Sequence, residues 1–497
     1  MTKLNRTTHP VSSNPERVLQ FGTGVLLRGL VDYQIDKANK QGLFNGSVVI
    51  VKSTGGTTDE FAQQDNLYTV AVRGVRQGQS ISENTLVTSV SRVLSAQTAW
   101  RDILNLAKSP SLRVIVSNTT EVGLQYVEES IFQNPPQSFA GKLTAFLYER
   151  FKDVGGSRNR GLVVIPTELV VDNGLKLRDL VERLAAHNEL GKLFSKWLKF
   201  HVRFCNSLVD RIVPGKPEAG IKKQIEEELG YEDDLLTMTE PYHLWAIEGD
   251  DRVKEILSFA GANPNTIVID EDITFYRERK LRVLNGSHTI SVPLAYLLGH
   301  EIVLDMMNDP LSSQFIREVM QQEIVPTVPA DDVALVKEFA DEVLDRFRNP
   351  SIEHLLLNIT VQESAKMQAR NVTTLQRYYE LFNKVPDRFA LGFAAYLRFM
   401  KVTHEDKGTY YGEVDVAAGL LNYPVKDDRA AYYYGIWPAV QTSDEASVRA
   451  FVEKVCSDKD FWKADLSALP GWVDAVSGYL YKMLNKGVRA TVKEALA

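Results

Sequence analysis

Between Arg17 and about Ile273 the chain sets short apolar runs between longer amphipathic stretches. Val18-Leu19-Gln20-Phe21 leads into Gly22, and Ser47-Val48-Val49-Ile50-Val51 ends at Lys52. Val114-Ile115-Val116-Ser117, Leu162-Val163-Val164-Ile165 and Thr266-Ile267-Val268-Ile269 follow. Nearly continuous, β-branched runs of this length, spaced by helical segments, predict strands covered on both faces: a parallel sheet of βαβ units. From about Lys280 the pattern changes to helical periodicity, as in residues 332–347, 374–382 and 388–400, and strand-like runs become scarce. The prediction is an α/β domain over 1–276 and a mainly α-helical domain over 277–497, joined between Ile273 and Lys280 without a flexible linker. No internal repeat or low-complexity segment interrupts either part.

The first strand-to-helix turn reads Phe21-Gly22-Thr23-Gly24, with Arg28 one turn further on. Two glycines there allow a tight turn and let a pyrophosphate approach backbone N–H groups at the positive end of the following helix. In this position the turn predicts a Rossmann-type dinucleotide-binding domain, although Leu27 occupies the third glycine position of the fingerprint. An ordinary glycine turn has the same two residues. The second strand ends Val51-Lys52-Ser53-Thr54, without the carboxylate that holds the ribose hydroxyls of NAD. Lys52 suits the 2′-phosphate of NADP, or simply solvent. After the third run, Ser117-Asn118-Thr119-Thr120-Glu121 offers small polar groups for the nicotinamide ribose, and equally a helix N-cap. The expected cofactor contacts are therefore Phe21, Gly22, Thr23, Gly24, Lys52, Ser117, Asn118 and Thr119.

Composition narrows the function classes. The 497 residues exceed one compact core. A formal net charge of -7 provides no basic footprint for nucleic acid. Two cysteines, Cys205 and Cys456, fit a reducing compartment and leave no disulfide framework or thiolate zinc cluster. Residues 1–15 lack the apolar core of a signal peptide, and the longest apolar run, Ile290 to Leu298, is about half a membrane span. A cytoplasmic, membrane-free protein with a small-molecule substrate is expected. The histidines show no close-spaced metal motif, and no nucleophile elbow or phosphate-binding loop of the kinase type is present.

The most informative stretch is Lys280-Leu281-Arg282-Val283-Leu284-Asn285-Gly286-Ser287-His288. As a regular α-helix it would place Lys280, Leu284 and His288 on one face with Asn285 beside them. A lysine of lowered pKa exchanges a hydroxyl proton, an Asn N–H stabilises a developing alkoxide, and a histidine orients the reacting oxygen. By itself the spacing is also that of an ordinary surface helix.

The stretch resembles the K-x4-N-x2-H signature of the mannitol dehydrogenase family, the polyol-specific long-chain dehydrogenases. Gly22-Thr23-Gly24 with Arg28, Ser117 to Glu121, Asn206-Ser207-Leu208-Val209-Asp210-Arg211-Ile212 and Glu240-Pro241-Tyr242-His243-Leu244-Trp245 resemble that family in the same order. The resemblance implies a metal-independent, NAD-dependent oxidoreductase with Lys280 as general acid/base, Asn285 as oxyanion donor and His288 as a substrate-positioning residue. Ile165-Pro166-Thr167-Glu168-Leu169, the Glu240 to Gly249 segment and Asn422 to Asp428 resemble members that reduce a keto-hexuronate to an aldonate. Where polyol enzymes carry a second oxyanion Asn, this chain has Glu168, which cannot serve an oxyanion unless protonated. Glu168 is instead a candidate for a sugar hydroxyl or for Lys280. Lys366 and Arg370, four apart, resemble the family's basic pair near the substrate, and Arg suits a uronate carboxylate. A solvated helix face paired with Glu363 is the competing reading. Other activities of the scaffold, on another keto-hexuronate or on a polyol, and a catalytically silent sugar-acid-binding protein remain the alternatives.

Overall fold

The computed structural model describes all residues except 120, 156, 158–159, 332 and 417–418. Thr120 and Asp332, at the ends of two stretches read above, therefore lie outside the described residues. Two compact units form: residues 1–73 with 80–273, and residues 74–79 with 274–497.

In the first unit six strands make one sheet: β1 (Glu16–Phe21), β2 (Ser47–Lys52), β3 (Val90–Ser95), β4 (Val114–Ser117), β5 (Val163–Pro166) and β6 (Arg203–Phe204). Their order is β3-β2-β1-β4-β5-β6, and every neighbouring pair is parallel. Successive side chains point to opposite faces, so each run feeds two cores. Leu19, Phe21, Val49, Val51, Ile115 and Val164 pack into one, while Val18, Val48, Ile50, Val114, Val116 and Ile165 pack into the other. That double burial is why the strands read as continuous apolar runs. The strand order reverses at β1, and ligands of open α/β sheets bind at the carboxyl ends beside such a switch point.

One expected strand lies elsewhere. Ile267–Asp270 is outside the six-stranded sheet; it pairs in parallel with Leu244–Glu248, which pairs antiparallel with Ser207–Asp210. The apolar run gave strand type correctly, but sheet membership is decided by long-range pairing.

The second unit is largely helical. α4 (Ser287–Leu297) is buried along its whole length and packs on α8 (Asp387–Phe399), which in turn packs on α9 (Trp472–Lys486). Phe393 of α8 lies against Trp462 and Trp472, with ring centroids 5.5 and 5.4 Å apart. This unit also holds an antiparallel sheet of Val402–Asp406, Thr409–Val416 and Gly419–Pro424, which the periodicity did not disclose. Its outer strands are mostly exposed, so they carry no apolar run.

Close approach of α4 and α8 depends on Gly392. A Cβ there would stand 2.6 Å from Ile290 Cγ1 and 2.7 Å from the Ile290 carbonyl oxygen. Alanine would gain roughly 1 kcal/mol of helix propensity, whereas overpacking against fixed backbone costs about 1–3 kcal/mol. Gly392→Ala is therefore expected to be net destabilising by chemical denaturation; a variant as stable as the parent would show that the two helices are not pressed together here.

Candidate active site

At the end of β1 the chain turns at Gly22, whose φ is +132°, a value side chains rarely adopt. A Cβ there would stand 2.9 Å from Leu27 Cδ1 and 3.1 Å from the Asn118 carbonyl oxygen. Leu27, at the missing third glycine position, is fully buried and fills the space beneath the turn. Gly24 starts the helix, and nothing lies within 4 Å of the Cβ it lacks, so the approach to the first helical N–H groups is open. The helix runs through α1 (Val25–Leu27), a π-helical turn Arg28–Asp32 and α2 (Tyr33–Lys40). Gly29 within the π turn lets Thr239 and Val213 pack against the backbone.

Thr23, Arg28 and Lys52 line one cavity of about 200 Å³ beside this turn. Phe21, expected among the cofactor contacts, has its ring fully buried against Phe139. Its backbone carbonyl accepts a hydrogen bond from the Asn118 N–H at 3.1 Å, which ties the end of β1 to the end of β4. Glu168 braces the same edge: it accepts from the Thr119 N–H at 2.9 Å, the Thr119 hydroxyl at 3.1 Å and the Ser117 hydroxyl at 3.3 Å. Burial raises its pKa, and these donors oppose the rise. Asn118 Nδ2 donates to the Thr167 carbonyl and hydroxyl, both at 3.0 Å. Ser117, Asn118, Thr119 and Glu168 thus form one network. Arg73 donates to the Val72 and Glu83 carbonyls and to Asn84 within its own hairpin.

In the second unit the lysine stretch is not a regular α-helix. α3 (Thr274–Arg279) passes into a π-helical segment, Lys280–Gly286, which passes into α4. A π turn bonds i to i+5 and recurs at functional sites. The wider turn carries Asn285 round toward the face of Lys280, which a regular α-helix would leave on the side of Leu284 alone. Lys280 and Asn285 are both half-buried. A second π-helical segment, Met367–Asn371, joins α6 (Glu363–Lys366) to α7 (Val372–Phe382) and packs on the first. They meet at Gly286: a Cβ there would stand 2.8 Å from Asn371 Oδ1 and 3.8 Å from the Arg370 carbonyl oxygen. Arg370 Nη1 donates to the Thr289 hydroxyl at 3.1 Å, joining the basic pair to α4.

His288 is buried beside Phe347, with centroids 4.1 Å apart, and beside His354 at 5.5 Å. Its Nε2 is buried and has no hydrogen-bond partner among the described residues. Burial drives its pKa well below the usual range, reinforced by His354, Arg346, Arg370 and Lys366. The imidazole is therefore neutral, with one ring nitrogen unengaged. Arg346 ends α5 (Val333–Phe347), so this helix adds a cation that sequence reasoning missed. Lys366 Nζ donates to the Ile359 carbonyl at 2.7 Å, and burial lowers the pKa of both Lys366 and Arg370. Glu363 is fully buried, neither carboxyl oxygen has a hydrogen-bond partner, and burial holds its pKa well above the carboxylate range against the pull of Lys366 and Arg370. Its charged form would be stabilised by Lys366 and Arg370, so the acid and the two cations are electrostatically linked. The structure thus brings Lys280, Asn285, His288, Lys366 and Arg370 onto adjoining elements of the second unit.

Residues 16–260 match the mannitol dehydrogenase Rossmann domain, and residues 272–484 match the mannitol dehydrogenase C-terminal domain. The chain belongs to the mannitol dehydrogenase family. It is 36% identical to the altronate oxidoreductase of Bacillus subtilis over 99% of this chain and 98% of that protein. It is 38% identical to the altronate oxidoreductase of Halalkalibacterium halodurans over 100% of this chain and 96% of that one. Among solved structures, a D-sorbitol dehydrogenase without substrate aligns with a TM-score of 0.78 at 21% identity, covering 99% of this chain and 100% of that one. Pseudomonas fluorescens mannitol 2-dehydrogenase, in complex with NAD and D-mannitol, aligns at 0.65 with 23% identity and 99% of both chains. At these identities the structural likeness is one of fold. The family membership agrees with the Rossmann-type domain followed by a largely helical one. No helix among the described residues is long and apolar enough to cross a membrane.

The neutral state of His288 has a consequence for stability. Its folded pKa lies below the ordinary 6.5, so the unfolded chain binds the proton more readily and acidification favours unfolding. The penalty is absent well above pH 6.5 and grows below it by up to about 1.4 kcal/mol per pH unit. Between pH 7.5 and 5.5 the parent should lose roughly 1 kcal/mol relative to His288→Asn, measured by chemical denaturation at both pH values. Equal losses in the two proteins would mean that His288 is not held neutral.

Proposed function

We propose that the chain is an NAD-dependent oxidoreductase interconverting tagaturonate, a keto-hexuronate, and altronate, with Lys280 as general acid/base. The observation that carries the reading is the setting of His288: a buried neutral imidazole with an unengaged Nε2, surrounded by Arg346, Lys366 and Arg370. A sugar acid presents both partners this setting asks for, a carboxylate for the cations and hydroxyls for the imidazole nitrogen. A polyol presents only the second. The full-length similarity to altronate oxidoreductases supports the same substrate class.

The residues around Gly22 and Gly24 fit a dinucleotide, since the turn is tight and the helix start is open. When bound, the dinucleotide supplies a hydride to the keto carbon in one direction and accepts it in the other. As negative charge grows on the keto oxygen, Lys280 delivers a proton to that oxygen, and the Asn285 side-chain N–H donates to it. The π-helical turn that carries both residues supports this pairing. His288 Nε2 bonds a neighbouring hydroxyl, and Arg370, fixed through Thr289, receives the carboxylate. Glu168 braces the Ser117–Thr119 loop on the nucleotide side.

Lys280→Met retains length and removes the exchangeable proton, so turnover should fall by roughly a hundred- to ten-thousand-fold. NADH binding, followed by fluorescence quenching, should persist, because the glycine turn belongs to the other unit. The assay follows NADH absorbance with tagaturonate, fructuronate and fructose side by side, and tagaturonate is expected to be turned over fastest. Near-normal turnover of Lys280→Met with an unchanged pH profile would remove the lysine mechanism, and preference for fructose would remove the sugar-acid reading.

A further inference from the structure

The cavity beside the glycine turn contains more positive charge than a ribose diol requires. Its walls include Thr23, Arg28, Lys52, Thr57, Thr58 and Glu60. Lys52 ends β2, the strand next to the glycine-bearing β1, which is the position that meets the adenosine ribose in this fold. A carboxylate there recognises the free 2′-hydroxyl, whereas a basic group accommodates a 2′-phosphate. Lys52 Nζ is steadied by the Thr57 carbonyl at 3.0 Å and lies beside Gly56, whose missing side chain keeps the loop close to it. Arg28 Nη1 donates to the Leu235 carbonyl at 2.9 Å, and its guanidinium lies 5.8 Å from the ring centres of Phe61 and Tyr68. Its Nε is buried and has no hydrogen-bond partner among the described residues.

We infer that this cavity is a phosphate subsite for the adenosine 2′-phosphate, so that the chain binds NADPH as well as NADH. The inference rests on the dinucleotide reading given above and specifies which dinucleotides the first unit takes. Two cations and three threonine hydroxyls supply charge-assisted and neutral donors to one phosphate. Two acids face them. Asp32, which accepts from the Tyr68 hydroxyl at 3.0 Å and from Gln20, lies behind Arg28, and burial pushes its pKa up to about 7, which reduces its hold on the guanidinium. Glu60 is exposed on the rim and opposes a phosphate; it is the group that keeps NADH competitive.

The test measures dissociation constants for NADH and NADPH by fluorescence, and for 5′-AMP and adenosine 2′,5′-bisphosphate by competition with NADH. In the parent, NADPH should bind within about tenfold of NADH, and the bisphosphate at least as tightly as 5′-AMP. Lys52→Ala should raise the NADPH-to-NADH ratio by about tenfold or more, the effect of one lost charge-assisted bond. Glu60→Gln, at an exposed position, should lower that ratio. A parent ratio above about a hundred, or a ratio that neither substitution moves, would overturn the subsite while leaving NADH binding and the sugar-acid reading intact. Failure of both dinucleotides to bind would instead overturn the dinucleotide reading and the subsite together.

Discussion

Two π-helical segments meet at a glycine, and the packing around Lys280, Asn285 and Arg370 depends on that meeting. Lys280–Gly286 and Met367–Asn371 approach until Asn371 Oδ1 would stand 2.8 Å from any Cβ at position 286. A π turn has poorer hydrogen-bond economy than an α-helix and persists only where the surroundings favour it. Here the surroundings are the buried α4 on one side and the Arg370–Thr289 bond on the other. The gain is register: the wider turn carries Asn285 toward the face of Lys280, and Arg370 is held beside the same segment through Thr289.

The electrostatics follow from burial more than from pairing. His288 stays neutral because it is buried among cations, and burial raises the pKa of Glu363 against the pull of Lys366 and Arg370. The outcome is a buried neutral imidazole beside Arg346, Lys366 and Arg370, an arrangement that costs folding stability and is of the kind found at functional sites. The first unit uses a different device. Its glycine turn leaves backbone N–H groups open, while Glu168 ties Ser117 and Thr119 together at the neighbouring strand end.

Much of this was legible in the sequence, for identifiable reasons. The parallel strands were visible because both faces of each are buried, leaving runs such as Val48 to Val51 without polar interruption. The glycine turn was visible because its two glycines stand at the end of the first of those runs. Ile267–Asp270 was seen as a strand but assigned to the wrong sheet, because its partner, Leu244–Glu248, is chosen by tertiary contacts. The outer strands of the sheet over 402–424 face outward and carry no apolar signal. The π register was hidden for a subtler reason: one extra residue in a turn shifts a face without altering the helical pattern on either side. Arg346 and His354 were missed because they reach His288 from positions 58 and 66 residues further along the chain, and only the fold brings them together.

The central claim is that contact between the two π segments sets the register of Lys280 and Asn285. Its most direct test is turnover of Gly286→Ala beside Gly286→Ala/Asn371→Ala. The single substitution should lower turnover by at least about tenfold, since small misplacement of reacting groups is costly, with NADH binding retained. Shortening Asn371 in the same chain should restore part of the loss by relieving the clash. Full turnover in Gly286→Ala alone would contradict the account.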